Sequence, residues 1–179
     1  MRKTLDDAIS EGLKFVSLNN RGETYHILIS GDFKKLYGYV GTGSARKERE
    51  DVDLSFLPED LDSVWYSASL NEYGPLVYDL ALSETTLKGR DLCCGYHCSP
   101  SARNIWNFYH FKRTPEMLIQ RFDTRQGNQD RSFVPYNHCY KLQIILDASA
   151  LKSGHKTFEE TKMLRKVHKF FSREFHKPQ

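Results

Sequence analysis

The sequence predicts a single α/β domain, a mixed and mainly antiparallel sheet with one parallel strand pair flanked by helices, followed by a basic amphipathic C-terminal helix. Three observations carry that reading. Apolar runs at 64–70 and 92–98 each feed straight into a helical pattern, the order expected of neighbouring parallel strands with crossover helices. A chain of 179 residues with 39% apolar and 13% aromatic content can bury one core without staples. Residues 151–179 hold 8 Lys/Arg and 3 Asp/Glu, a net of +5 in a chain whose total is +3, so the basic character lies in the tail. The expected division is therefore an α/β domain over 1–150 and a helix over 151–179 docked on it.

From the N-terminus, Thr4 caps a short helix running from Leu5 to about Lys14, with Asp6 and Asp7 favourably placed in its first turn. Leu5, Ile9, Leu13 and Val16 form its apolar stripe. Residues 19–22 read as a turn. Strands at 24–30 and 36–40, separated by a turn at Gly31-Asp32, make a hairpin or meander. Residues 41–53 are polar and highly charged and read as a solvated loop. Gly41-x-Gly43 matches only a fragment of a phosphate loop, lacking the later glycine and the Lys-Ser/Thr ending.

The stretch from Ser63 to Leu82 carries the most chemistry. A strand at about 64–70 meets a tight turn holding Gly74, a residue able to take positive φ. Pro75 then suits the start of a helix, where its missing N–H costs nothing. Unpaired N–H groups at such a helix start attract anions, although most turns of this kind hold only water. The second apolar run, 92–98, passes through Ser99-Pro100-Ser101 into a helix over 102–111, on which Ile105, Trp106, Tyr109 and Lys112 recur at helical spacing. Ligands in open sheets sit beyond the carboxyl ends of the strands, which brings Tyr73, Gly74 and Tyr109 toward one crevice. Strands follow at about 116–122 and 139–146. From Thr157 an amphipathic helix places Leu164, Val167, Phe171 and Phe175 on one face and Lys162, Arg165, Lys166, Lys169 and Arg173 around the others.

Several classes are excluded or demoted. No run approaches the roughly 18–20 apolar residues of a membrane span, and the N-terminus is polar from the outset. A cytoplasmic protein is expected. Cys93, Cys94, His97 and Cys98, with His138 and Cys139, offer soft metal ligands. Neighbouring strand residues point to opposite faces, however, so no metal is expected, and the thiols read as small apolar residues. The basic tail leaves nucleic acid, an acidic protein partner or a membrane surface open, without any recognisable nucleic-acid-binding motif.

The order of elements resembles the Gcn5-related N-acetyltransferase (GNAT) superfamily. In that fold the central strand splays from its neighbour, and acyl-CoA enters the gap. The family motif Q/R-x-x-G-x-G/A, whose backbone N–H groups hold the CoA pyrophosphate, aligns with Asn71-Glu72-Tyr73-Gly74-Pro75-Leu76. One glycine matches, Asn71 replaces the basic or amide residue, and Leu76 replaces the last Gly/Ala. The later helical motif N-x-x-A-x-x-x-Y places Ala102 on the asparagine, Ile105 on the alanine and Tyr109 on the tyrosine. The pairing of YGPLVYDLAL with SPSARNIWNFY is similar to short GNAT-like proteins of tailed bacteriophages. The resemblance implies a phage-encoded acetyl-CoA-dependent N-acyltransferase acting on an amine in the host cytoplasm. Ser69, Leu70, Asn71, Tyr73, Gly74 and Leu76 would line the cofactor. A backbone N–H of Ser69 or Leu70 would polarise the thioester carbonyl, Tyr109 would protonate the departing thiolate, and Glu72 or His97 would relay the amine proton. The degenerate motif leaves a second reading, a catalytically inactive binding or virion-associated protein docking a partner through its C-terminal helix. The strands at 64–70 and 92–98 are expected to diverge at Asn71.

Overall fold

The structure, a computed structural model, describes residues 2–48, 50–51, 53–55, 57–70, 72–95, 98–113, 117–121, 138–142, 146–152, 162, 165–167 and 169–170. Its elements are α1 (Leu5–Ser10), β1 (Lys14–Asn20), β2 (Glu23–Ile29), β3 (Leu36–Ser44), β4 (Leu61–Ser69), α2 (Gly74–Leu87), β5 (Asp91–Cys93), α3 (Pro100–Lys112), β6 (Met117–Arg121) and β7 (His138–Leu142). The strands are hydrogen-bonded in the order β1-β2-β3-β4-β5-β7-β6. The β4–β5 pair is parallel, whereas β1–β2, β5–β7 and β6–β7 are antiparallel. The α/β class and the mainly antiparallel sheet with its parallel pair are thus as expected. The chain divides into two compact units, one of Met1–Gly41, Ser67–Leu80 and Asp147–Gln179, the other of Thr42–Tyr66 and Ala81–Leu146.

In the first unit, Thr4 closes a capping box with Asp7, each side chain taking the other's backbone N–H. The helix is shorter than its apolar spacing predicts. Gly12 takes φ +66, and the amides of Gly12 and Leu13 return to the carbonyls of Ile9 and Ala8. That is a Schellman stop, with Ala8 and Leu13 both buried beneath it. Leu13 and Val16 therefore leave the helix, and β1 follows where a helix end and a turn were expected. Arg21 and Gly22, both at positive φ, form a two-residue hairpin loop that sets the register from Asn20↔Glu23 to Lys14↔Ile29.

Leu18, Tyr25, Ile27, Ile29, Leu36 and Tyr39 make this unit's core, and Val167 is buried within it. Burial of each aliphatic side chain there contributes about 1.5–3 kcal/mol. Lys166 donates to the Phe33 carbonyl at 2.6 Å. The described residues of the C-terminal segment, Lys162, Arg165–Val167, Lys169 and Phe170, are helical. Leu164, Phe171, Arg173 and Phe175 lie outside the described residues.

In the second unit, β3 runs on to Ser44, so the expected loop from Gly41 begins instead as buried strand. Gly43 lies against the Trp65 ring, where a Cβ would come within 2.7 Å of Cζ2. Glycine here makes room for an indole, which in sequence alone reads as turn chemistry. Arg46 holds the segment that follows, donating to the Leu57 carbonyl at 2.6 Å and to Glu59 at 3.0 Å.

The parallel pair is placed differently from the expected 64–70 and 92–98. Its register is Leu61↔Asp91 to Ser63↔Cys93, and β5 ends at Cys93. Arg90 braces its start, reaching Asp62 at 2.7 Å and the Glu59 carbonyl at 3.1 Å. Just past the pairing, Gly95 presses on the Val64 carbonyl so closely that a Cβ would sit 1.9 Å from the oxygen. Ser99 then caps α3 by accepting the Ala102 N–H, with Pro100 as first helical residue.

Candidate functional site

The end of β4 is organised by its amides. Leu70 donates its N–H to the Tyr37 carbonyl on β3 at 2.8 Å. Successive amides of an extended strand point to opposite edges, so the Ser69 and Ser67 N–H groups point to the edge away from β3. On that edge, among the described residues, β5 pairs with Leu61–Ser63. Of the two expected carbonyl donors, Leu70 is thus already committed, and Ser69 keeps the right direction. The expected divergence at Asn71 is also corrected, because ladder pairing ends at Ser63. Asn71 and His97 lie outside the described residues.

Helix α2 is seated closely on this end of β4. Gly38 lies against the Ser69 side chain and Val77, where a Cβ would meet them at 2.8 and 3.0 Å. Ser67 Oγ and the Tyr78 hydroxyl share a hydrogen bond of 2.9 Å. The intervening turn is closed by Tyr73 N–H to the Leu70 carbonyl at 3.2 Å, and the Tyr73 carbonyl accepts the Val77 amide. Tyr73 is therefore the residue that caps the helix, Gly74 opens it and Pro75 follows. The positive φ expected of Gly74 falls instead on Glu72, at 79°, the third position of the turn, where a glycine would be at ease. Leu76 is buried, so its bulk lies inside the unit rather than over the helix start.

Tyr73 is held by residues that its motif does not contain. Its ring meets Tyr37 edge-on at 4.9 Å, and its hydroxyl donates to Glu11. Glu11 also takes Lys3 Nζ at 2.7 Å, while the Lys3 amide donates to the Glu72 carbonyl at 3.1 Å. Burial, then the bond to Glu11, pushes the Tyr73 hydroxyl well above its ordinary value. The Lys3 bond, then the Tyr73 bond, holds the Glu11 carboxyl below its own. Glu11 and Lys3 carry no motif, and Glu11 stands 62 residues from Tyr73, so nothing in the local pattern could have found them.

As an anion site the turn is modest. Pro75 has no N–H, and the Tyr73 and Val77 amides are spent on the Leu70 and Tyr73 carbonyls. The first turn is left with the amides of Gly74 and Leu76. The carboxylates of Glu11 and Glu72 bring negative charge to the same neighbourhood. Two amides fit one phosphate, and they fit a pyrophosphate less well than an unbroken glycine-rich turn.

Tyr109 lies in the second unit and is 1% exposed. Its ring packs against Trp106 at 5.7 Å and Tyr140 at 6.2 Å, with the Arg113 guanidinium over it at 5.5 Å. The helical spacing that singled out Trp106 and Tyr109 is the spacing of a buried face, completed by Tyr140 from β7. The thiols nearby behave as apolar residues. Cys93 and Cys139 are buried with Ala45, Leu57 and Leu61, and burial pushes Cys93 and Cys94 well above the ordinary thiol range. Among the described residues no three His, Cys, Asp or Glu side chains gather as a metal site.

No helix among the described residues is long and apolar enough to cross a membrane. Comparison with protein-family models, curated proteins and solved structures finds no match to this chain.

Proposed function

We propose that this chain is an acyl-CoA-dependent N-acyltransferase of the GNAT type. The observation that carries the reading is the unequal length of the parallel pair. Among the described residues β5 stops at Cys93, whereas β4 runs on to Ser69, whose amide points away from β3. A strand edge with no ladder partner among the described residues suits an extended pantetheine arm, which can hydrogen-bond to backbone as another strand does. The thioester supplies an activated acyl carbon. The amine nitrogen attacks it, the C–S bond breaks, the thiolate leaves, and the amine loses one proton.

In this reading the Ser69 N–H stabilises the oxyanion of the tetrahedral intermediate. Gly74 and Leu76 hold the nearer phosphate at the start of α2. Glu72, exposed beside the turn, takes the amine proton, and the departing thiolate takes its proton from solvent. Titration calorimetry with acetyl-CoA tests the binding half. Saturable heat that disappears in Gly74→Val supports the reading, and silence at millimolar ligand rejects it.

A second reading is favoured by two specific observations, the burial of Tyr109 under Trp106 and Tyr140 and the acidic surroundings of the α2 turn. It is a catalytically silent GNAT-like binding or virion-associated protein whose C-terminal helix docks a partner. Acetyl-CoA that binds without thiol release, across a panel of polyamines and lysine peptides, separates this reading from the first.

A further inference from the structure

Four reduced cysteines, Cys93, Cys94, Cys98 and Cys139, lie in the second unit. Two of them face each other across the sheet. Cys93 on β5 stands in register with Cys139 on β7 in an antiparallel ladder. Directly opposed residues of such a ladder share a face, with Cα atoms about 4.5–5.5 Å apart. Both side chains pack into one buried cluster, which agrees with a shared face. A disulfide requires Cα separations of about 4.4–6.8 Å, so the ladder holds the two residues at bonding distance with both sulfurs reduced.

We propose that Cys93 and Cys139 form an oxidisable pair that closes to a disulfide across β5 and β7 when the protein meets a peroxide. Cys139 reacts first. Its thiol donates to Asp91 Oδ2 at 3.4 Å. Both thiols are equally enclosed, each 4% exposed, and burial raises both, so the carboxylate in contact with Cys139 singles it out as the thiol with a proton acceptor beside it. The Cys139 thiolate attacks one peroxide oxygen. The O–O bond breaks, leaving a sulfenic acid and a hydroxide that takes up a proton as water. The Cys93 sulfur then displaces the sulfenic oxygen, its proton leaves with that oxygen as a second water, and the S–S bond forms. Two thiols are oxidised and one peroxide is reduced to two waters. The bond closes residues 94–138, with α3 and β6, into a covalent loop.

The competing pair is Cys94 and Cys98, whose thiols are hydrogen-bonded to each other and of which Cys98 is partly exposed. The experiment separates the two. The full-length protein is treated with hydrogen peroxide at several pH values, unfolded, alkylated and digested without reduction. A linked peptide joining Cys93 to Cys139 is expected, its rate of appearance rising about tenfold per pH unit as the thiolate fraction grows. Tm should rise on the order of 10 °C on oxidation. The Cys98→Ser variant should form the same link at the same rate. Four alkylated thiols after prolonged peroxide, or a Cys94–Cys98 link in place of the expected one, overturns the proposal.

Discussion

The Leu70 amide is bonded to the Tyr37 carbonyl at 2.8 Å, and that bond decides which amides of β4 are available for chemistry. Leu70 points into the ladder with β3, so Ser69 points out of it. Replacing each by proline deletes one N–H and makes the two directions measurable. Leu70→Pro should break the ladder and lower Tm sharply. Ser69→Pro should leave the fold standing and reduce acyl transfer by about 10²–10³ in kcat. Circular dichroism melts and thiol release from acetyl-CoA read the two outcomes. Equal destabilisation by both substitutions removes Ser69 from the proposed mechanism.

Close approaches at glycine give a graded stability prediction. A methyl at Gly43 meets the edge of the Trp65 ring at 2.7 Å, and the side chain can shift. A methyl at Gly95 meets the Val64 carbonyl at 1.9 Å, and that backbone is fixed beside the β4–β5 ladder. Gly43→Ala should therefore cost about 1–3 kcal/mol, and Gly95→Ala distinctly more. Urea unfolding midpoints at constant m-value would order the two variants.

These glycines also mark where local pattern stops being informative. Alternation and turn residues placed β2, the Ser99–Pro100 start of α3, and a parallel pair in the middle of the chain. They misplaced the register of that pair and gave β1 to a helix, because Leu5, Ile9, Leu13 and Val16 keep a helical spacing that Gly12 interrupts with its left-handed backbone. They read Gly41–Ser44 as loop, because the reason for glycine there is an indole more than twenty positions away along the chain. The same limit holds at the site. Gly74, Pro75 and the strand before them were legible as a strand-to-helix turn, since each acts on its own backbone. The Tyr73–Glu11–Lys3 clamp was not, since it depends on the tertiary return of α1.

That clamp has a pH signature with two edges. Glu11 is held below its usual 4.5, so the unfolded chain binds more protons near that pH. Its stabilisation is present above about 4.5 and is lost as pH falls through the folded value. Tyr73 is raised above its usual 10.0, so the unfolded chain releases its proton first. Its stabilisation is present below about 10 and is lost as pH rises beyond that. Tyr73→Phe should flatten the alkaline limb of the Tm–pH curve and shrink the acid limb. An unchanged alkaline limb in the variant means that Tyr73 is not the group responsible.

Glu72 separates stability from chemistry at a single position. Its φ of 79° is a conformation that glycine adopts freely and a residue bearing a Cβ does not. Glu72→Gly should raise Tm by about 2–4 °C, after allowance for the greater freedom of the unfolded glycine. Glu72→Gln retains the backbone strain and gives up the pairing of the carboxylate with the N-terminal amine, so its Tm should fall slightly rather than rise. If Glu72 takes the amine proton, both variants lose acyl transfer and the acid limb of the kcat/KM profile, while acetyl-CoA affinity is kept or improved by removal of a carboxylate beside the α2 turn. Activity retained in Glu72→Gln, with an unaltered pH profile, assigns the residue to the turn alone and moves the search for the base elsewhere in the chain.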